Sequence, residues 1–188
     1  MTLLPRTIAR SAFLCATAII ASHFFRLSSS VVPFSLLPGI YILGALCFTP
    51  LENWLGWMIY LFLGLTGIPV FATPPYGGPS YIFKPTFGFL LGYLCISPLI
   101  SWIAHYRPNL SQQFLLLISM LGAGLLYIPG LIYFWLIMRF IVQVPTTMEF
   151  ILKSAFFPFI GGDIIKVFVA FLLARKMRKF WFRGEIKK

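Results

Sequence analysis

Six apolar stretches, separated by short runs of polar, proline and glycine residues, organise this 188-residue chain. The pattern predicts helices over about 7–25, 34–48, 53–68, 86–105, 112–137 and 153–174. In the first, apolar residues go all the way round rather than forming one stripe, which suits lipid better than a soluble core. A hydrocarbon layer about 30 Å thick takes about 20 such residues per crossing, so the chain has room for six spans with short loops. Thr49-Pro50-Leu51-Glu52-Asn53 reads as a tight connection carrying helix-start residues. The polar stretch from Arg26 to Pro33 links the first two helices, and Arg107-Pro108-Asn109 closes the fourth. Gly122, Gly124 and Pro129-Gly130 interrupt the regularity of the fifth, and 138–152 reads as a polar connection with a helical turn of its own. The segment 69–85 is the longest without helical period. It holds Pro69, Pro74, Pro75 and Pro79 ahead of Pro85, yet stays aromatic and apolar. A solvated loop would be more polar, so this one is expected to fold back over a cavity as a cap.

Two stripes of small residues predict close helix packing. Gly88-x-x-x-Gly92 lies in the fourth helix, and Ala9, Ala12 and Ala16 share one side of the first at three- and four-residue spacing. Spacing alone favours packing of the alanines within the chain over docking to another subunit. No fixed-period repeat is evident, which leaves an inverted-repeat carrier without support.

Composition turns the helical pattern into a membrane assignment. Apolar residues make up 60% of the chain and charged residues 10%, with a mean hydropathy of +0.92; a soluble domain has roughly 25% charged residues. The expected architecture is all-α and integral to the membrane: one six-helix bundle over 1–176 that carries the substrate site, and a basic tail over 177–188. The formal charge is +11, and seven of the fifteen basic residues lie in the tail and the two positions before it: Arg175, Lys176, Arg178, Lys179, Arg183, Lys187 and Lys188. Following an apolar span and flanking Phe180-Trp181-Phe182, they read as a juxtamembrane segment facing anionic lipid, not as a nucleic-acid surface. An even span count puts both termini on one side. The tail, with Arg6, Arg10 and Arg107, makes that side the cytoplasm; Arg26, Lys84, Arg139 and Lys153 fall outside. The first helix reads as a retained span rather than a cleaved signal. Cys15, Cys47 and Cys95 sit in apolar runs, and His23 and His105 are isolated, so no metal site is expected.

Chemistry concentrates in the last span. Of four acids, Glu52 and Glu149 fall in connections and Glu185 in the tail; Asp163 alone lies within a span, with Lys166 three residues on. A charge at the centre of a membrane helix costs about 2.5–3.5 kcal/mol on insertion scales. Three-residue spacing lets the pair neutralise each other, but a buried ion pair is often no better than an apolar pair of equal volume, which favours a binding role. Pro158-Phe159-Ile160-Gly161-Gly162 precedes the pair and predicts a broken or distorted helix there. No paired acids, metal-binding histidines or Gly-x-Ser-x-Gly segment support a membrane enzyme, and no catalytic residue is assigned. An autonomous carrier with Asp163 as its proton site is the alternative.

Three ordered segments resemble one family. Gly67-Ile68-Pro69-Val70-Phe71-Ala72 ends the third helix, Pro85-Thr86-Phe87-Gly88-Phe89-Leu90-Leu91-Gly92-Tyr93 opens the fourth, and Pro158 to Lys166 lies in the last. Together they resemble the BioY family, the biotin-binding S components of energy-coupling factor transporters. The resemblance covers roughly 6–177 and includes departures: Phe87 and Phe89 stand where the family has glycine and tyrosine, Lys84 where it has glycine, and Leu37 where it has glutamine. It implies a six-helix domain of the bacterial cytoplasmic membrane that takes biotin from outside. It also implies a transmembrane T component and a pair of ATPases as partners, so that ATP is used by them and no cofactor sits in this chain. The family's Gly-Asp-x-x-Lys pattern maps onto Gly162, Asp163 and Lys166. Biotin has a neutral ureido head, an apolar body and a carboxylate, and needs aromatic walls with a few placed polar groups. Phe71, Ala72, Tyr76, Tyr81, Thr86, Phe89 and Tyr93 are the candidates. In this reading Asp163 accepts ureido N–H bonds, Lys166 keeps Asp163 ionised and donates to the ureido oxygen, and Lys84 meets the carboxylate. The Ala9, Ala12 and Ala16 stripe becomes the face for the transmembrane partner.

Overall fold

A computed structural model describes residues 5–26, 35–106 and 110–181. Most of the Arg26–Pro33 link, the Arg107-Pro108-Asn109 turn and the last seven residues lie outside it. The described residues form seven α-helices and one short 3-10 turn at Pro79–Phe83, with no strand: α1 Pro5–Arg26, α2 Leu37–Cys47, α3 Pro50–Leu65, α4 Phe87–Tyr106, α5 Gln112–Phe140, α6 Met148–Ala155 and α7 Phe157–Trp181. Four of them, α1, α4, α5 and α7, are long and apolar enough to cross a membrane. α2 has 11 residues and α3 has 16.

The ends of α2 and α3 explain this compactness. Thr49 caps α3: its hydroxyl accepts from the Glu52 N–H, and a Glu52 carboxylate oxygen accepts from the Thr49 N–H at 2.8 Å. This capping box satisfies two N-terminal donors at once. The next residue, Asn53, is fully buried, with its Nδ2 3.1 Å from the Gly44, Phe48 and Thr49 carbonyls. Its Oδ1 accepts from Ser97 of α4 at 2.9 Å, and the Ser101 hydroxyl donates to the Phe48 carbonyl. The Phe48 carbonyl, just past the end of α2, is thereby met inside the bundle.

Glu52 was expected in a connection. It is instead in the first turn of α3, 3% exposed, with Oε1 3.3 Å from an Arg10 nitrogen of α1. Asp163 is therefore not the only buried acid. The bond ties α1 to α3 and sets the rotation of α1. Ser11, Leu14, Cys15, Ala18, Ala21 and Ser22 face inward, while Ala9, Ala12 and Ala16 lie exposed on the opposite face beside Phe13 and Ile20. Packing of the alanines within the chain is thus overturned.

Around the central α2, α7 and α4 make the main contacts; α4 packs along α5 and α1 along α3. The Gly88/Gly92 stripe works as its spacing suggests. A Cβ on Gly88 would lie 2.3 Å from Tyr133 Cβ and 2.9 Å from the Pro129 carbonyl, and one on Gly92 would lie 2.6 Å from a Leu126 methyl. α5 runs unbroken through Pro129 rather than losing its regularity there. The last span breaks earlier than expected, at Phe156 between α6 and α7; Gly161 and Gly162 are helical. Proline at the second position of α7 accounts for this. The N–H it lacks would have no intrahelical partner there, so Pro158 starts a helix rather than interrupting one. The close α4–α5 contact predicts that Gly88→Val destabilises the protein by about 1–3 kcal/mol through overpacking. Thermal unfolding in detergent measures this, and an unchanged midpoint would contradict the contact.

Candidate functional site

The cap expected over 69–85 folds back onto the bundle through aromatic residues. Tyr60 of α3 donates to the Val70 carbonyl at 3.2 Å and bonds Ser22 of α1 at 2.8 Å. The cap closes on itself by Phe71 N–H to the Tyr76 carbonyl, 2.8 Å, and by the Thr73–Tyr81 hydroxyl pair, 2.9 Å. Gly78 N–H returns to the Gly64 carbonyl at 2.7 Å, and the Tyr133 hydroxyl of α5 donates to the Ile82 carbonyl. Ring contacts run continuously through these elements. Tyr41 meets Tyr93, Tyr93 stacks on Trp57 at 4.7 Å, and Tyr60, Phe71, Tyr81, Phe87 and Tyr133 follow. Each ring brings large apolar area, and each tyrosine can still satisfy its hydroxyl.

Below the cap lies a cavity of about 400 Å³. Its wall is mainly apolar and aromatic: Leu37 and Pro38 from α2, Tyr60 from α3, Ala72, Thr73 and Tyr81 from the cap, and Thr86, Phe89, Leu90 and Tyr93 from the start of α4. α5 adds Tyr127 and Phe134; Ser154, Ala155, Pro158 and Phe159 come from the α6–α7 junction, with Ser35 ahead of α2. Asp163 and Lys166 complete it from α7.

The charged pair is bonded at 2.7 Å, Lys166 Nζ to Asp163 Oδ1, with side chains 12% and 10% exposed. A second anchor arrives from another helix: the Tyr127 hydroxyl donates to Asp163 Oδ2 at 2.7 Å. Each carboxylate oxygen therefore already holds one donor. α2 passes close by, since a Cβ on Gly39 would stand 3.6 Å from Lys166 Cβ. The arrangement presents a hydrogen-bonding acid and base in an aromatic wall, suited to a largely apolar solute with a polar, uncharged head.

Of the residues expected at the site, Asp163, Lys166, Ala72, Thr86, Phe89 and Tyr93 line the cavity. Phe71 is fully buried behind it, in contact with Tyr60 and Tyr81. Tyr76 and Lys84 belong to the cap, and Gly162 to the α7 backbone beside Asp163; none of the three is in the lining. Of the family departures, Phe89 and Leu37 line the cavity, whereas Phe87 is buried between Tyr81 and Tyr133. Sequence reasoning missed Tyr127. Its local signal is a hydroxyl two residues before Pro129 in a mainly apolar helix, and Ser119 and Tyr133 of the same helix carry hydroxyls too.

Fold and site define a membrane-embedded helical bundle with a solute cavity. The BioY family model matches residues 2–183, and the chain belongs to that family. It is 34% identical over 121 residues to the probable biotin transporter BioY of Methanothermobacter thermautotrophicus, covering 63% of this chain and 76% of that one. It is 37% identical over 116 residues to the biotin transporter BioY2 of Lactococcus lactis subsp. cremoris, covering 61% of this chain and 59% of that one. A crystal structure of the S-component for biotin from an ECF-type ABC transporter superposes with a TM-score of 0.76 at 24% identity, covering 97% of this chain and all of that one; the two share a fold.

The buried pair yields a stability prediction that does not depend on the ligand. Lys166→Met leaves the Asp163 charge without its cation and costs about 3–5 kcal/mol, whereas Asp163→Leu with Lys166→Met falls much closer to the parent. Unfolding of the two variants in detergent decides this; a single variant as stable as the double one contradicts it.

Proposed function

We propose that this protein is the substrate-binding S component of an energy-coupling factor transporter and takes up biotin across the cytoplasmic membrane. The observation that carries the reading is the Asp163–Lys166–Tyr127 cluster in the wall of the aromatic cavity, in a chain of the BioY family. Asp163 accepts one ureido N–H. Lys166 keeps the carboxylate ionised and donates to the ureido oxygen. Phe89, Tyr93, Tyr60 and Tyr81 enclose the ring and chain, with Ala72 and Thr86 at the cap side. Lys84, two residues before Thr86 on the cap, is the cation we assign to the carboxylate. Tyr76 and Phe71 shape the cap, and Gly162 gives backbone room beside the acid.

In this reading the chain crosses the membrane six times with both termini in the cytoplasm. α2 and α3 complete the count given by the four long helices. Arg175 and Lys176, exposed near the end of α7, face anionic lipid, whereas Arg178, expected beside them, turns inward to the Leu46 and Ala104 carbonyls. The chain holds no G-x-x-x-x-G-K-[ST] segment, so ATP is hydrolysed by a partner pair of ATPases. A transmembrane T component docks on the exposed face of α1, where Ala9, Ala12 and Ala16 allow close helix approach.

Two outcomes test the reading. Asp163→Asn keeps the size of the side chain but loses the charge, and the purified variant should bind radiolabelled biotin at least tenfold more weakly. Parent-like affinity in folded protein would remove Asp163 from the ligand. Ala12→Trp with Ala16→Trp should leave biotin binding of the isolated chain intact and abolish ATP-driven uptake in cells. Undiminished uptake would show that α1 is not the partner face.

A further inference from the structure

We propose that the Tyr93 hydroxyl is a specificity-determining hydrogen-bond donor, which meets the oxygen of the ligand's neutral urea head. The inference rests on the biotin reading and goes beyond it by giving that hydroxyl a partner atom. Most hydroxyls around the cavity already have a partner in the chain. Tyr60 donates to the Val70 carbonyl at 3.2 Å, Thr73 and Tyr81 bond each other at 2.9 Å, and Tyr127 donates to Asp163 at 2.7 Å. Ser35, half-buried, accepts from the Leu37 N–H at 3.2 Å. Thr86 and Ser154 are exposed, so water can meet them. Tyr93 differs from all of these. It lines the cavity, is 3% exposed, and its hydroxyl has no hydrogen-bond partner among the described residues.

The side chain is too well held to turn toward a partner elsewhere. Its ring stacks on Trp57 at 4.7 Å and lies 5.3 Å from the Tyr41 ring. Trp57 is itself 1% exposed, and Tyr41 is fixed by its bond to the Gly122 carbonyl at 3.0 Å. A phenylalanine would keep these ring contacts without burying an unpaired hydroxyl, which is costly. The hydroxyl therefore stands preorganised for an acceptor from outside the chain.

In a cyclic urea that acceptor is the carbonyl oxygen. The two N–H groups are donors, and Asp163 takes one of them. The carbonyl oxygen has two lone pairs; Lys166 takes one and leaves the other for Tyr93. The ligand's carboxylate is met by Lys84 on the cap. A head without a good acceptor at this point leaves the Tyr93 proton unpaired, and a site built to hydrogen-bond its ligand discriminates against such analogues.

The test uses the full-length chain in detergent, as the parent and as Tyr93→Phe. Calorimetric titration compares biotin with the analogue whose ureido oxygen is replaced by sulfur, a much weaker acceptor that leaves both N–H donors in place. Tyr93→Phe should weaken biotin about fivefold or more, the effect of one lost hydrogen bond in a buried site, and weaken the sulfur analogue less than about twofold. Without ligand, the variant should unfold at the parent's temperature or above it, because no bond within the protein is lost. Equal weakening of both ligands would give the hydroxyl to an N–H or to shape alone and overturn the proposal, as would undiminished biotin affinity. A variant that unfolds well below the parent, or does not fold, would show that the protein itself holds the hydroxyl, and overturns it too. A parent chain that binds no biotin overturns the functional reading and the proposal with it.

Discussion

The constraint on which the rest of the structure depends is the Asp163 carboxylate, a charge held among aromatic and apolar groups. An ion so placed is tolerable only when its lone pairs are met and a countercharge is near. Lys166 supplies the countercharge and Tyr127 the second donor. Each then imposes a condition on the fold. Lys166 must lie one turn along α7, with α2 passing at a glycine. Tyr127 must stand at one height on α5, which Gly88 and Gly92 secure by letting α4 and α5 touch along their backbones. The small residues of the bundle serve the acid indirectly.

The cap answers a different requirement. A loop at the mouth of an apolar cavity must satisfy its backbone groups while staying apolar enough to cover it. Tyrosines meet both demands. Tyr60 and Tyr133 donate to cap carbonyls from α3 and α5, Tyr81 bonds Thr73 within the cap, and their rings join one continuous contact path from α2 to α5. The lid over the cavity and the wall of the cavity are thus built from the same side chains, so the shape of one fixes that of the other.

What was legible in the sequence follows from this division. α1, α4 and α5 could be bounded within a few residues, because apolar runs of span length end in polar or proline-bearing segments. The cap was legible because prolines and aromatics together exclude both helix and solvated loop. Asp163 and Lys166 stood out because charge in an apolar run is rare. Tyr127 did not, because its meaning depends on α5 meeting α7 across 36 positions of sequence. Glu52 looked like a loop residue for the same reason: only the α1–α3 packing brings Arg10 to it. The helix break was placed over Pro158 to Gly162 because proline lacks a donor and glycine permits a break, whereas proline near a helix start fits the position it occupies. Phe156 gave no local sign that the turn would fall on it.

One feature of α7 joins the site to the far end of the bundle. Asp163, Val167, Ala170, Ala174 and Arg178 recur at three- and four-residue intervals and face inward together. Arg178 donates from its two terminal nitrogens to the Leu46 carbonyl of α2 and the Ala104 carbonyl of α4, both at 3.0 Å. Those carbonyls sit in the last turns of their helices, where unpaired acceptors and the negative end of the helix dipole favour a cation. The two polar anchors of α7 are about 22 Å apart along its axis, with small and apolar residues between them. A helix pinned by directional bonds at both ends can neither slide nor turn without breaking one of them. The register that presents Asp163 to the cavity is therefore set partly by an arginine at the opposite end of the bundle.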